Sequence, residues 1–187
     1  MADFPVHTIE SAPEGSKPLL EGAQAKFGFV PNLVGVMAES PVALKAYMTL
    51  AGLVGETSFT PTEQQVILMA TSFENACTYC MAAHSTVSKM TGVPDDVIES
   101  LRTGTAIADP KLNALASFVR SLSQNNGAAD ATEVDAFLAA GYTQEQALEA
   151  LVAIAQKTMS NYMNHFAQTP KDDAFAAQAW SKPAMAG

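Results

Sequence analysis

The sequence is short of most things that announce a function. It has only two cysteines, three histidines and one tryptophan in 187 residues. Ten lysines and arginines face nineteen acids, for a net charge of −9. That deficit of cations argues against nucleic acid and against an anionic membrane surface as partners. No apolar run reaches the roughly 18 residues a membrane span needs. The first residues, Met-Ala-Asp-Phe-Pro-Val-His, have neither a basic n-region nor an apolar h-region, so no signal peptide is read there and a cytoplasmic location is expected. No haem, flavin or nicotinamide motif occurs, and no cofactor is expected. Strand-like alternation of apolar and polar residues is absent, and β-branched residues are scattered.

What is present is apolar and helical. Hydrophobic residues make up 48% of the chain, enough for a sizeable core in a single domain over 1–187. Residues 1–15 carry Pro5, Pro13 and Gly15 and read as an extended lead-in; 182–187 read as a tail. Between them the pattern predicts an all-α bundle of about eight to ten helices with short loops. Ser40-Pro41 and Asp109-Pro110 place a cap before a proline at the first helical position. Thr60 with Glu63, and Thr143 with Gln146, form capping boxes. Gly28, Gly55, Gly92, Gly104 and Gly141 are read as stops. The longest helix starts after Thr143 and reaches His165 or a little beyond, with Pro170 ending it.

Both cysteines fall in one stretch, Glu-Asn-Ala-Cys-Thr-Tyr-Cys-Met-Ala-Ala-His-Ser, residues 74–85. On a helix of about 100° per residue, Cys77, Cys80 and His84 lie within roughly 60° of one another. Cys80 and His84 form an i, i+4 pair, the relation of a thiol to its general base. Cys77 is one turn back, within reach of a disulfide. A helix N-terminus favours Cys77 as the low-pKa thiol, whereas His84 favours Cys80. The side-chain contact decides for Cys80 as nucleophile and Cys77 as resolving partner. Glu74, about 60° from Cys77 on a continuous helix, is a candidate to orient His84 or relay its proton, or else a solvated helix-start acid. Around Glu74-Asn75-Ala76 the helix kinks or restarts.

Two other readings of the pair stand beside the redox one. A zinc site needs four ligands, and beyond the two cysteines and His84 a distant group must complete it. Two inert core cysteines are the other alternative. In a reducing compartment a C-x-x-C with a neighbouring histidine favours thiol chemistry. Asn161, Asn164 and His165 near the end of the last helix read as polar packing that also has the option of lining the site. Tyr79 and the nine methionines read as core.

The cysteine stretch resembles the C-x-Y-C-x-x-A-H signature of the carboxymuconolactone decarboxylase superfamily, closest to its alkylhydroperoxidase AhpD-like, peroxidase-related branch. Phe27-Gly28-Phe29-Val30-Pro31-Asn32, Ser58 to Leu68, Ala139 to Thr143 and Ser160 to His165 resemble further blocks of that branch in the same order. The resemblance implies an AhpD-like helical bundle, a hydroperoxide substrate, a lipoyl-type or thioredoxin-like dithiol electron donor, and a homo-oligomer (dimer, trimer or hexamer). It also implies a catalytic glutamate on the helix before the cysteines, where this sequence has Gln65. Glutamine holds a water but accepts no proton at neutral pH. A decarboxylase acting on a lactone acid is the alternative within the superfamily. Its carboxylated substrate calls for arginines, and only Arg102 and Arg120 exist. A non-catalytic redox sensor or disulfide-exchange protein is the third reading.

Overall fold

A computed structural model describes residues 4–184. The chain is all-α, with no strand among the described residues. Its α-helices are α1 (Lys17–Phe27), α2 (Asn32–Met37), α3 (Pro41–Glu56), α4 (Pro61–Glu74), α5 (Thr78–Met90), α6 (Asp95–Thr103), α7 (Pro110–Gln124), α8 (Ala131–Ala139) and α9 (Gln144–Ala167). A 3-10 helix, Asp173–Gln178, follows. The parts of the lead-in and tail at 1–3 and 185–187 lie outside the described residues.

The caps are those the sequence predicts. Ser40 accepts from the Ala43 N–H and Asp109 from Lys111 and Leu112. Both capping boxes close, Thr60 with Glu63 and Thr143 with Gln146. Gly28 and Gly104 end α1 and α6 in the left-handed region. Gly55 does not end α3. A Cβ there would meet nothing within 4 Å, and the helix runs one residue further before Thr57 caps it by donating to the Val54 carbonyl at 2.7 Å.

Helix α4 is buried on every side from Val66 to Phe73, as befits a helix enclosed by neighbours. It packs against α5, α7 and α9. One core cluster joins α4 to α6–α9 and includes a stack of Phe118, Phe137 and Tyr142 with ring centroids 4.3 and 4.6 Å apart. A second cluster, from α1–α3, contains Cys77, Tyr79 and Cys80. The start of α5 therefore sits where the two halves of the core meet, with α9 along one side.

The chain does not pass from α4 to α5 as one helix. Ala76 adopts a left-handed conformation (φ 51°). Its N–H donates to the Phe73 carbonyl at 3.0 Å, and the Cys77 N–H to the Ser72 carbonyl at 3.0 Å. These two crossed bonds close α4. Cys77 thereby becomes the N-cap of α5, its sulfur accepting from the Cys80 N–H at 3.4 Å.

Candidate functional site

Four elements converge on the two sulfurs. Helix α5 brings Cys77 at its cap, Cys80 in its first turn and His84 one turn on. Helix α4 brings Gln65. Helix α9 brings Lys157, Ser160, Asn161 and Asn164 at helical spacing on one face, and α3 brings Tyr47. Cys77 and Cys80 are free thiols, 0% and 1% exposed.

Both nitrogens of His84 are committed. Nε2 lies 2.7 Å from Lys157 Nζ, and Nδ1 lies 3.0 Å from Gln65 Oε1. An ammonium has no lone pair, so Nε2 must accept from it and Nδ1 must carry the proton. Gln65 Oε1 accepts a hydrogen bond from this Nδ1–H and also from the Ser88 hydroxyl at 3.4 Å. Burial, and then the Lys157 charge, push the imidazole well below its ordinary value, so it is neutral. Cys80 and His84 stand one turn apart as the spacing predicts, but neither ring nitrogen is bonded to a sulfur. Lys157 and Gln65 take the two nitrogens instead.

The sulfurs are bonded from α9. Asn164 Nδ2 donates to Cys80 Sγ at 3.2 Å and approaches Cys77 Sγ at 3.8 Å. The Ser160 hydroxyl is 3.9 Å from Cys80 Sγ and gives its proton to the Lys157 carbonyl at 2.9 Å, so it is the weaker partner. Asn161 is held by Asn75 at 2.9 Å and Ser72 at 3.5 Å. Burial raises the Cys80 thiol. The Cys77 hydrogen bond, the Lys157 charge and the polar groups of Asn161 and Ser160 outweigh it and bring Cys80 down from 9.0 to about 5. Cys77 moves the other way, raised first by its hydrogen bond to Cys80 and then by burial. The pair thus shares one proton, kept on Cys77, and Cys80 is the thiolate at neutral pH.

Glu74 is elsewhere. It closes α4 rather than opening the cysteine helix, because the left-handed turn at Ala76 breaks the continuity on which its projection rests. Its carboxylate accepts from Gln124 at 3.0 Å and lies near Lys182 at 3.8 Å and Arg120 at 4.0 Å. Among the described residues no acid lies within 4.0 Å of His84. His165 is exposed, while Asn161 and Asn164 are buried at the site. Tyr79 points away from the sulfurs, its hydroxyl donating to Asp172 and accepting from the Leu33 N–H at 3.2 Å.

Lys157 is the residue sequence reasoning missed. It is 1% exposed and has no carboxylate within 4.0 Å among the described residues. The signal was its register, since Ala150, Ala153, Lys157, Ser160 and Asn164 share the inner face of α9. Among the described residues no group of three or more His, Cys, Asp or Glu is placed to hold a metal.

Known proteins resemble the chain as follows. The model of the carboxymuconolactone decarboxylase family matches residues 41–121. No curated protein matches it significantly. Among solved structures, an alkylhydroperoxidase AhpD core, a peroxidase-related protein from Ralstonia eutropha JMP134, superposes with a TM-score of 0.81 at 23% identity, covering 92% of this chain and 93% of that one. A peroxidase-related protein from Silicibacter sp. TM1040 gives 0.78 at 20% identity over 93% and 92%. The debrominase Bmp8, as a cysteine-to-alanine variant in complex with 2,3,4-tribromopyrrole, gives 0.80 at 20% identity over 95% of each chain. The family match runs from α3 through most of α7, including the cysteine turn, and the structural likeness spans nearly the whole bundle: the chain has the AhpD-like fold, and its central segment is similar to the carboxymuconolactone decarboxylase family.

Proposed function

We propose that this protein is a thiol-dependent hydroperoxide reductase. The observation that carries the reading is the split of the two thiols, with Cys80 held as a thiolate and Cys77 holding the proton one turn away. The Cys80 thiolate attacks the terminal oxygen of an organic hydroperoxide; the O–O bond breaks, the alcohol leaves and Cys80 becomes a sulfenic acid. Cys77 condenses with it, releasing water and forming the Cys77–Cys80 disulfide. A dithiol donor of lipoyl or thioredoxin type then reduces the disulfide. Asn164 Oδ1 is buried with no hydrogen-bond partner among the described residues, an acceptor fitted to the O–H of a hydroperoxide next to Cys80. Gln65 and His84 hold the site without transferring a proton, so the family glutamate missing at Gln65 is not needed for activation.

The decarboxylase alternative finds little support. Arg102 donates to Ser85 and to the Gln178 and Ala179 carbonyls, and Arg120 lies beside Glu74, so neither arginine faces the cysteines. Reductive dehalogenation is a second reading, since a buried soft thiolate also attacks a polarised halogen and the chain resembles a debrominase in fold. The protein acts as a homo-oligomer in this proposal, associating through an exposed apolar stripe on α9.

The test is an intact mass and thiol count on reduced protein after one equivalent of cumene hydroperoxide, with Cys77→Ser in parallel. Wild type is expected to lose both thiols far faster than free cysteine does, and Cys77→Ser to stop at a sulfenic acid on Cys80. Serine is a good N-cap, so that variant keeps its helix start. Surviving thiols in wild type would sink the proposal; bromide release from a bromopyrrole without peroxide turnover would favour the second reading.

A further inference from the structure

Lys157 poses a charge problem. Its ammonium is buried on the inner face of α9 with no carboxylate within 4.0 Å among the described residues, and its hydrogen-bond partner is a neutral imidazole. A buried cation in that position needs an anion. The ionisable groups around it are Tyr47 from α3 and Cys77, Cys80 and His84 from α5; the amide of Gln156 also faces Tyr47. Burial raises the Tyr47 phenol, Cys77 keeps its proton, and His84 carries no negative charge. Only Cys80 remains.

We propose that Lys157 is the acid of this site: its ammonium is the counter-ion of the Cys80 thiolate in the reduced protein, and it gives its proton to the leaving oxygen as the thiolate attacks a hydroperoxide. His84 is then a positioning residue. Its Nε2 anchors Lys157, and Gln65 fixes the tautomer through Nδ1. The S–O bond forms as the O–O bond breaks, with sulfur oxidised by two electrons and the peroxide reduced. The electron pair of the broken bond leaves on the alkoxide oxygen, which takes a proton from Lys157 and departs as alcohol. Condensation with Cys77 then releases water. The external dithiol returns two electrons and two protons, one to Cys77 and one to the Lys157 amine, while Cys80 is left as thiolate. The acid half rests on the peroxidase reading; the counter-ion half does not.

Three proteins decide it: wild type, Lys157→Met, which keeps length and removes charge, and Lys157→Arg, which keeps charge but is a poor proton donor. Alkylation of Cys80 by iodoacetamide, located by mass, reads the thiolate across pH. Wild type and Lys157→Arg are expected to be on the plateau at pH 7. Lys157→Met is expected to be slower there by about tenfold or more and to recover as the pH approaches that of an ordinary thiol. A wild-type rate still climbing between pH 8 and 9 overturns the counter-ion, and needs no variant to fold.

Single turnover with cumene hydroperoxide and with peracetic acid at one pH reads the acid. A carboxylate leaving group needs no proton. Both variants are therefore expected to lose about tenfold or more rate on cumene hydroperoxide beyond any loss on peracetic acid. Equal losses on the two oxidants overturn the acid role. Wild type that alkylates on the plateau while Lys157→Met is slowed, yet consumes neither oxidant, overturns the acid half with the peroxidase reading and upholds the counter-ion; a Lys157→Met that stays on the plateau overturns the counter-ion.

Discussion

Ala76 is the residue on which the site's geometry turns. A non-glycine residue at φ 51° costs about 1–2 kcal/mol, and glycine gives back about 0.5–1 kcal/mol through its freer unfolded chain. Ala76→Gly is therefore expected to stabilise the protein by about 0.5–1 kcal/mol, raising the melting temperature by a few degrees. Ala76→Val, with a branched Cβ in the same conformation, is expected to lower it. His84 gives a pH dependence with a definite sign. The folded protein holds it neutral well below its ordinary value, so below about pH 6.5 the unfolded chain takes up a proton that the folded chain does not. Its contribution to stability is present above that pH and is lost as the pH falls, which urea titrations at pH 8 and pH 5.5 check against His84→Gln. At this scale the sequence is legible where spacing sets position: Cys77 caps the helix that carries Cys80 in its first turn and His84 one turn on, although the imidazole bonds Lys157 and Gln65 instead of a sulfur. It misleads at Glu74, because one left-handed residue breaks the helix on which the projection was drawn. It is silent on Lys157, because a lysine in a helix reads as solvated until the neighbouring elements enclose it.

Between elements, the tightest fit is that of α4 against the end of α6. A Cβ on Gly104 (φ +76°) would stand 2.3 Å from Phe73 Cζ. The Phe73 ring cannot swing away freely, with Trp180 at 5.9 Å and the Lys182 ammonium 4.7 Å over its centroid. Gly104→Ala therefore combines left-handed strain with overpacking and is expected to cost about 2–4 kcal/mol in thermal or urea unfolding. Gly104 and Gly55 look alike as helix stops in the sequence, and their fates differ for a physical reason. Gly104 has a left-handed backbone and a ring against it, whereas Gly55 has open space and a hydroxyl cap two residues on. The helices themselves were legible because Ser40, Thr60, Asp109 and Thr143 each cap through a local side-chain bond that needs no tertiary contact. The 3-10 helix at Asp173–Gln178 was not, since it is held from outside, by Asp172 on Tyr79 and by Arg102 on the Gln178 and Ala179 carbonyls.

For the molecule as a whole, α9 has two apolar or functional faces where a surface helix needs one. Ala150, Ala153, Lys157, Ser160 and Asn164 look inward, while Leu148 (69% exposed), Leu151, Tyr162 (60%) and Phe166 (72%) form a stripe on the outside. At about 100° per residue the two faces are centred roughly 175° apart. An apolar stripe along a 24-residue helix is a large patch to leave in water, and burying it against a second copy of the same stripe is the self-complementary solution that proposed homo-oligomerisation uses. Sedimentation equilibrium is therefore expected to give a mass above that of one 19.6 kDa chain. Replacing Leu148 and Phe166 together by Glu is expected to bring it down to the monomer. Because these side chains lie on the face opposite Lys157, the double variant is also expected to keep its secondary structure and the wild-type rate of Cys80 alkylation at neutral pH. A wild type that sediments as a monomer refutes the association. A dissociated variant whose Cys80 has become slow to alkylate shows instead that the interface helps to form the thiolate, and that the cysteine site is complete only in the assembly.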